Sequence, residues 1–229
     1  MSRLLLIDID GTLLTTNRAG LRAYKTAADA VLGSPIKIKK HHFAGKLDKV
    51  IFKGFHDEFN VSSLKFEEAW PLFRESYLEG LRKEAENTEG WLVYPGVREF
   101  LAREEKQSRM ALITGNIREG AHVKLSAVGL WDYFRCGAYG DEGETREALA
   151  GRALANACAC FGQTFSEVWV IGDTVADIAC GKAIGAKTLG VRTGFSKKGE
   201  LEAVGADVVV ETLADVVFNA HDPLDRGSG

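Results

Sequence analysis

No stretch of this chain is both long and free of charge: the longest uncharged segment, Ala153 to Ser166, runs 14 residues, short of the roughly 20 apolar residues that cross a bilayer as a helix. A helical membrane span is excluded on that ground. Charge of neither sign dominates. The 29 Lys plus Arg against 32 Asp plus Glu leave a formal charge of −3, so no overall field draws in nucleic acid or an anionic membrane. Cysteine is scarce: Cys136, Cys158, Cys160 and Cys180 form no CxxC motif and have no His nearby in the sequence, which reads as plain buried thiols in a reducing compartment. The first residues read LLLI and meet Asp8 at once, without the apolar h-region and small-residue cleavage site of a secretory signal. A cytoplasmic protein is expected. Internal repeats and low-complexity tracts are absent too, and 45% apolar with 27% charged residues is the mix of an ordinary folded chain, which excludes disorder and collagen-like repeats. At this length about 70 to 75% of the unfolded surface can be buried, enough for one large domain or two unequal ones.

What the sequence does hold is five short apolar runs, LLLIDID, MALITG, VWVIGD, KTLGVRT and ADVVVET, each ending in polar residues or glycine. Their unalternating hydrophobicity suits strands covered on both faces, as in a parallel sheet with crossover helices. The segments between them supply such helices: Val97, Phe100 and Leu101 fall at i, i+3 and i+4, and Leu149, Ala153, Ala157 and Phe161 recur every four residues before Gly162 stops the pattern. An α/β, doubly wound parallel sheet follows.

One interval is too long. About 95 residues separate the first run from the second, far more than a crossover helix and its loops need. Within it three helical stripes appear: Leu21, Tyr24, Ala28, Val31 and Leu32; then Leu47, Val50, Ile51 and Phe55; then Phe66, Phe73, Tyr77 and Leu81. They predict a small helical domain inserted through two hinges, Thr15 to Arg18 and Glu89 to Tyr94. The end of the chain, Asp222 to Gly229, is polar and glycine-rich and reads as a frayed tail.

Ligands of an open parallel sheet bind beyond the carboxyl ends of its strands, and there this sequence is acidic. Asp8 and Asp10 lie two apart at the end of the first run, with Gly11 and Thr12 directly after, and Asp173 and Asp177 follow the third. Carboxylates so placed repel unless a cation or a shared proton offsets them. Magnesium suits such an oxygen-rich pocket, because it takes oxygen ligands at about 2.1 Å and leaves positions for substrate phosphate. Asp8 as a nucleophile would split phosphoryl transfer into two easier steps, with Asp10 carrying the proton. Gly11 would let the chain turn and bring N–H groups to a phosphate, while Thr114, Gly115 and Asn116 would add a hydroxyl and two amides at a helix start.

These motifs, DIDGT at Asp8 to Thr12, LITGN ending the second run and IGDTVAD at Ile171 to Asp177, resemble motifs one, two and four of the haloacid dehalogenase superfamily, and the helical insert resembles the cap of its phosphoglycolate-phosphatase-like members. The resemblance implies a Rossmann-like core over 1–14 and 93–229 with a helical cap over 15–92, and a magnesium-dependent phosphatase acting on a small soluble metabolite through an aspartyl-phosphate. It implies Asp8 as nucleophile, Asp10 as acid and base, Thr114 as a phosphate donor, and Asp8, Asp10, Asp173 and Asp177 as the metal set. Motif three departs from the usual lysine: GDEGETREAL over 140–149 holds none, so Arg146 takes the basic role, with Arg152 as the alternative. Asn17, Arg18 and Lys46, together with Gly45 and Asp48 of the GKLD segment, are candidates for substrate selection. The protein would act as a monomer or homodimer, without nucleic acid or membrane partners.

Plainer readings stand beside these. A DG pair is a common turn, Asp173 and Asp177 suit a helix start, and Arg146 alone is an ordinary solvated helix charge. His41 and His42 read as surface imidazoles, Lys37, Lys39 and Lys40 as a solvated edge, and the aromatic stripe as core. Convergence of four strand-end acids favours the site. Rival functions are a sugar phosphomutase of the β-phosphoglucomutase kind, a 2-haloacid dehalogenase, which has no use for Asp10, and a phospho-accepting or metabolite-binding protein without turnover.

Overall fold

The computed structural model describes residues 2–38, 43 and 45–218. Lys39, Lys40, His41, His42 and the segment 222–229 lie outside the described residues.

The five apolar runs form the strands β1 (Arg3–Ile7), β4 (Arg109–Ile113), β6 (Glu167–Gly172), β7 (Lys187–Val191) and β8 (Val208–Val210), joined by a sixth, β5 (Gly137–Ala138). The sheet is parallel throughout, in the order β5-β4-β1-β6-β7-β8. The chain therefore winds outward from β1 to one edge, returns, and winds to the other. β1 is the point of reversal, where open α/β sheets place their ligands. The period of two explains the continuous apolar runs. Leu5 and Ile7 pack with Val97, Phe100 and Leu101 on one face, while Leu4 and Leu6 pack with Leu149, Ala150, Ala153 and Ala157 on the other. The covering helices are α4 (Val97–Glu104), α5 (Arg118–Ala127), α6 (Arg146–Phe161) and α7 (Val175–Ala183), with the short α8 (Glu200–Ala203) near the far edge. Gly162 ends α6 in the left-handed conformation, φ 64°, as its pattern predicts.

The long interval contains α1 (Ala19–Leu32), α2 (Asp48–Phe59) and α3 (Phe66–Ala85). Their apolar faces close on one another through Tyr24, Phe52, Phe55, Phe73, Tyr77 and Leu81, with Phe52 and Phe73 stacked at 4.1 Å between ring centroids. Where the chain leaves and re-enters the sheet, two short strands, β2 (Leu14–Thr15) and β3 (Leu92–Val93), pair antiparallel. The expected stripe in α2 is corrected at one position: Val50 is 42% exposed and Phe52 is fully buried. α2 begins at Asp48, and its inward stripe runs through Ile51, Phe52 and Phe55, which turns Val50 to solvent. Of the cysteines, Cys180 alone is buried and the other three are partly exposed.

Candidate active site

Asp8 extends β1 by one hydrogen bond, its N–H donating to Ile171 O at 3.0 Å, so its carboxyl emerges at the centre of the sheet. The chain then reverses within six residues. Ile9 O accepts from the N–H groups of Thr12, Leu13 and Leu14, and the Gly11 N–H donates to Leu14 O. This turn needs glycine at position 11. Its φ is +90°, and a Cβ there would lie 2.4 to 2.8 Å from the carboxylate atoms of Asp173. The turn uses the Gly11 N–H itself, and the missing Cβ at Gly11 lets Asp173 approach.

Asp8, Asp173 and Asp177 each offer one carboxylate oxygen, and the three oxygens lie within 4.8 Å of one another. All three residues are buried. Asp177 is held by the start of α7: its Oδ2 accepts from Thr174 N at 3.0 Å and Thr174 Oγ1 at 2.6 Å, a capping box. Asp173 accepts from Thr12 Oγ1 and, at 2.6 Å, from the N–H of Phe195 in the loop after β7. The same loop needs its glycine, since a Cβ on Gly194 would fall 1.9 Å from Asp173 Oδ2.

Arg146 is the basic partner. Thr145 caps α6 by accepting from Ala148 N and so sets Arg146 at the first helical position, where Nη2 lies 2.5 Å from Asp177 Oδ1 and 3.2 Å from Asp8 Oδ1. Burial lowers its pKa, yet the Asp177 and Asp8 carboxylates more than reverse that and raise it above the ordinary arginine value. Its Nε is buried without a partner among the described residues. Arg152 is exposed on α6 and is not among the residues lining the cavity, whereas Arg146 lines it.

Three buried carboxylates against one guanidinium leave negative charge uncompensated. Burial, reinforced by Asp177 and Asp10 and opposed by Arg146, pushes Asp8 up to about 7. Burial, reinforced by Asp177 and Asp8, pushes Asp173 up to about 8. An all-oxygen donor set with that deficit fits a hard divalent cation.

Asp10 does not join this cluster. Its carboxylate is turned the other way: Lys124 Nζ donates to Oδ1 at 2.9 Å and Oδ2 at 2.8 Å, and Asn116 Nδ2 donates to Oδ2 at 2.7 Å. Both of its side-chain oxygens are engaged by Lys124 and Asn116 and stand apart from the group formed by Asp8, Asp173 and Asp177. Thr114 is fully buried at the end of β4, and its Oγ1 accepts from Asn116 Nδ2 at 2.8 Å. Among the described residues the Gly115 N–H donates to no protein acceptor. Position 115 must be glycine because Lys46 O passes over it, 2.1 Å from where a Cβ would stand.

These groups line a cavity of about 580 Å³ between the strand ends and the helical insert. Its far wall is apolar and aromatic, with Leu21, Tyr24, Phe43, Ile51 and Tyr77. Arg18 and Lys46 also line it; Asn17 does not. Asn17 has φ 48°, its carbonyl accepts from Arg22, and its side chain lies against Gly90, so it serves the crossing between β2 and β3. Asp48 is buried at the first turn of α2. Its N–H donates to Gly115 O, and its Oδ2 accepts from Ile117 N, which ties the insert to the loop after β4. Burial, opposed by Lys124, pushes its carboxyl to about 7.

Two contributors escape a reading by strand ends. Lys124 sits on the buried face of α5 with Gly120, Ala121 and Leu125; a cation inside an apolar helical stripe was its signal. The Thr193 to Phe195 loop was marked only by glycine after the fourth run.

The family model of haloacid dehalogenase-like hydrolases matches residues 3–185. Over its full length the chain is 27% identical to a probable phosphatase, IndB, of Dickeya dadantii, covering 97% of that protein. It is 27% identical to a phosphoglycolate phosphatase of Chromobacterium violaceum, over 91% of this chain and 92% of that one. Among solved structures it is similar to a hydrolase from Pseudomonas syringae, with a TM-score of 0.71, 23% identity, and 94% and 95% of the two chains covered.

Proposed function

The chain belongs to the haloacid dehalogenase-like hydrolase family, and from that membership we propose a phosphatase that uses Mg2+ to hydrolyse the phosphate monoester of a small soluble metabolite in the cytoplasm. The phosphatase relatives support the reaction class. The observation that carries the chemistry is the meeting of Asp8, Asp173 and Asp177 within 4.8 Å beside a buried arginine.

Asp8, Asp173 and Asp177 would hold the ion. Bound there, Mg2+ supplies positive charge against the phosphate oxygens and lowers the repulsion between two anions. The Asp8 carboxylate forms a bond to phosphorus as the ester P–O bond breaks, giving an aspartyl-phosphate. Asp10 gives a proton to the departing oxygen and afterwards takes one from the water that attacks phosphorus, which frees inorganic phosphate and restores Asp8. Arg146, the Thr114 hydroxyl and the Gly115 N–H receive phosphoryl oxygens. The helices of 15–92 form a cap that excludes bulk water and encloses the leaving alcohol. Arg18, Lys46 and Asp48 stand on its side of the cavity and select among alcohols.

Release of inorganic phosphate from p-nitrophenyl phosphate and from phosphorylated sugars and hydroxy acids, with and without Mg2+, tests this reading. Metal-dependent release is the expected result. A protein that binds Mg2+ and releases no phosphate from any of them would defeat it.

A further inference from the structure

Burying an ammonium group is costly unless its donors are matched, and Lys124, 5% exposed, has all three matched. Two go to Asp10, at 2.9 Å and 2.8 Å, and the third to Asn116 Oδ1 at 2.6 Å. Asn116 closes the ring by donating to Asp10 Oδ2 and Thr114 Oγ1. Among the described residues Lys124 is the cation paired with Asp10. The insert leaves room for it. In α1 a Cβ on Gly20 would stand 3.3 Å from Lys124 Cε and 3.4 Å from Nζ, so a larger side chain there would press on the lysine.

We propose that Lys124 is a positioning residue for Asp10, holding its carboxyl where it meets the leaving oxygen and receiving the carboxylate that remains once the proton has gone. The inference rests on the role of Asp10 given above. When the ester P–O bond breaks, the proton of Asp10 passes to the leaving oxygen. The carboxylate then accepts on both oxygens, which is the arrangement that Lys124 and Asn116 complete. Without Lys124 the carboxyl loses its fixed place and its partner for the charge formed in that step.

An alkoxide leaving group needs that proton, whereas p-nitrophenolate departs without it. The comparison is therefore kcat/KM of K124M and wild type on glycerol phosphate and on p-nitrophenyl phosphate, in Mg2+, since kcat/KM reports the steps up to formation of the covalent intermediate. K124M should lose at least tenfold more on glycerol phosphate than on p-nitrophenyl phosphate. Both substrates are read on one sample, so any inactive fraction cancels in the ratio, and K124Q gives the same comparison if K124M folds poorly. In a D10N background, K124M should remove less than threefold further on glycerol phosphate. Equal losses on the two esters, no loss on either, or a full further loss in the D10N background would overturn the assignment and leave the phosphatase intact. A wild-type protein inactive on both esters would overturn the phosphatase reading itself.

Discussion

At the scale of single residues, the site is a problem of unbalanced charge. In the proposed reaction Asp8 is both the group that attacks phosphorus and a source of repulsion, pushed up to about 7 by burial and by its acidic neighbours. Replacing Asp8 with Asn removes the nucleophile and one negative charge together. Turnover should fall by about a thousandfold or more, while the metal-free protein should melt no lower than wild type at pH 8, because a repulsive group has gone; phosphate release and thermal melting measure the two effects, and retained activity would move the nucleophile elsewhere. Asp173→Ala should weaken Mg2+ binding by at least about tenfold, read by calorimetric titration. Position and residue type made these acids legible, since strand ends and DxD spacing are visible in a sequence. The direction of a side chain was not: Asp10 turns to Lys124 because of a lysine 114 residues away in sequence, a pairing that only the packing of α5 creates.

At the scale of elements, long apolar runs announced their strands and short ones did not. β5 is two residues, Gly137 and Ala138, and its hydrogen bonds come from lying beside β4 rather than from its own pattern. The α2 stripe was legible in period but off in phase, because one helical start at Asp48 decides whether Val50 or Phe52 faces inward. Loops carry the other half of the site. The segment after β7 supplies the Phe195 N–H to Asp173, and Gly194 makes that approach possible. Gly194→Ala should push this loop away, destabilise by about 1 to 3 kcal/mol, and weaken metal binding, since a Cβ cannot stand 1.9 Å from Asp173 Oδ2. A variant with wild-type melting temperature and metal affinity would show that the loop adjusts freely.

At the scale of the whole molecule, folding and pH are linked through the carboxyls proposed to hold the metal. In the unfolded chain Asp8 and Asp173 ionise near 3.8, whereas in the folded, metal-free protein they do so at about 7 and about 8. Between those values the folded state binds more protons than the unfolded one. For these two groups stability is then fully present below the unfolded value and is lost as pH rises from about 4 through about 8. Divalent cation reverses the balance. Its ligands must be ionised, so binding displaces more protons at pH 6 than at pH 8, and affinity should climb across that range. Ligand binding stabilises by RT ln(1 + [L]/Kd); at one fixed Mg2+ concentration the rise in melting temperature over the metal-free protein should therefore be small at pH 6 and larger at pH 8. Melting scans at a series of pH values measure it. A difference that stays constant, or narrows as pH rises, would mean that the ion binds without drawing on the buried carboxyls at the ends of β1 and β6.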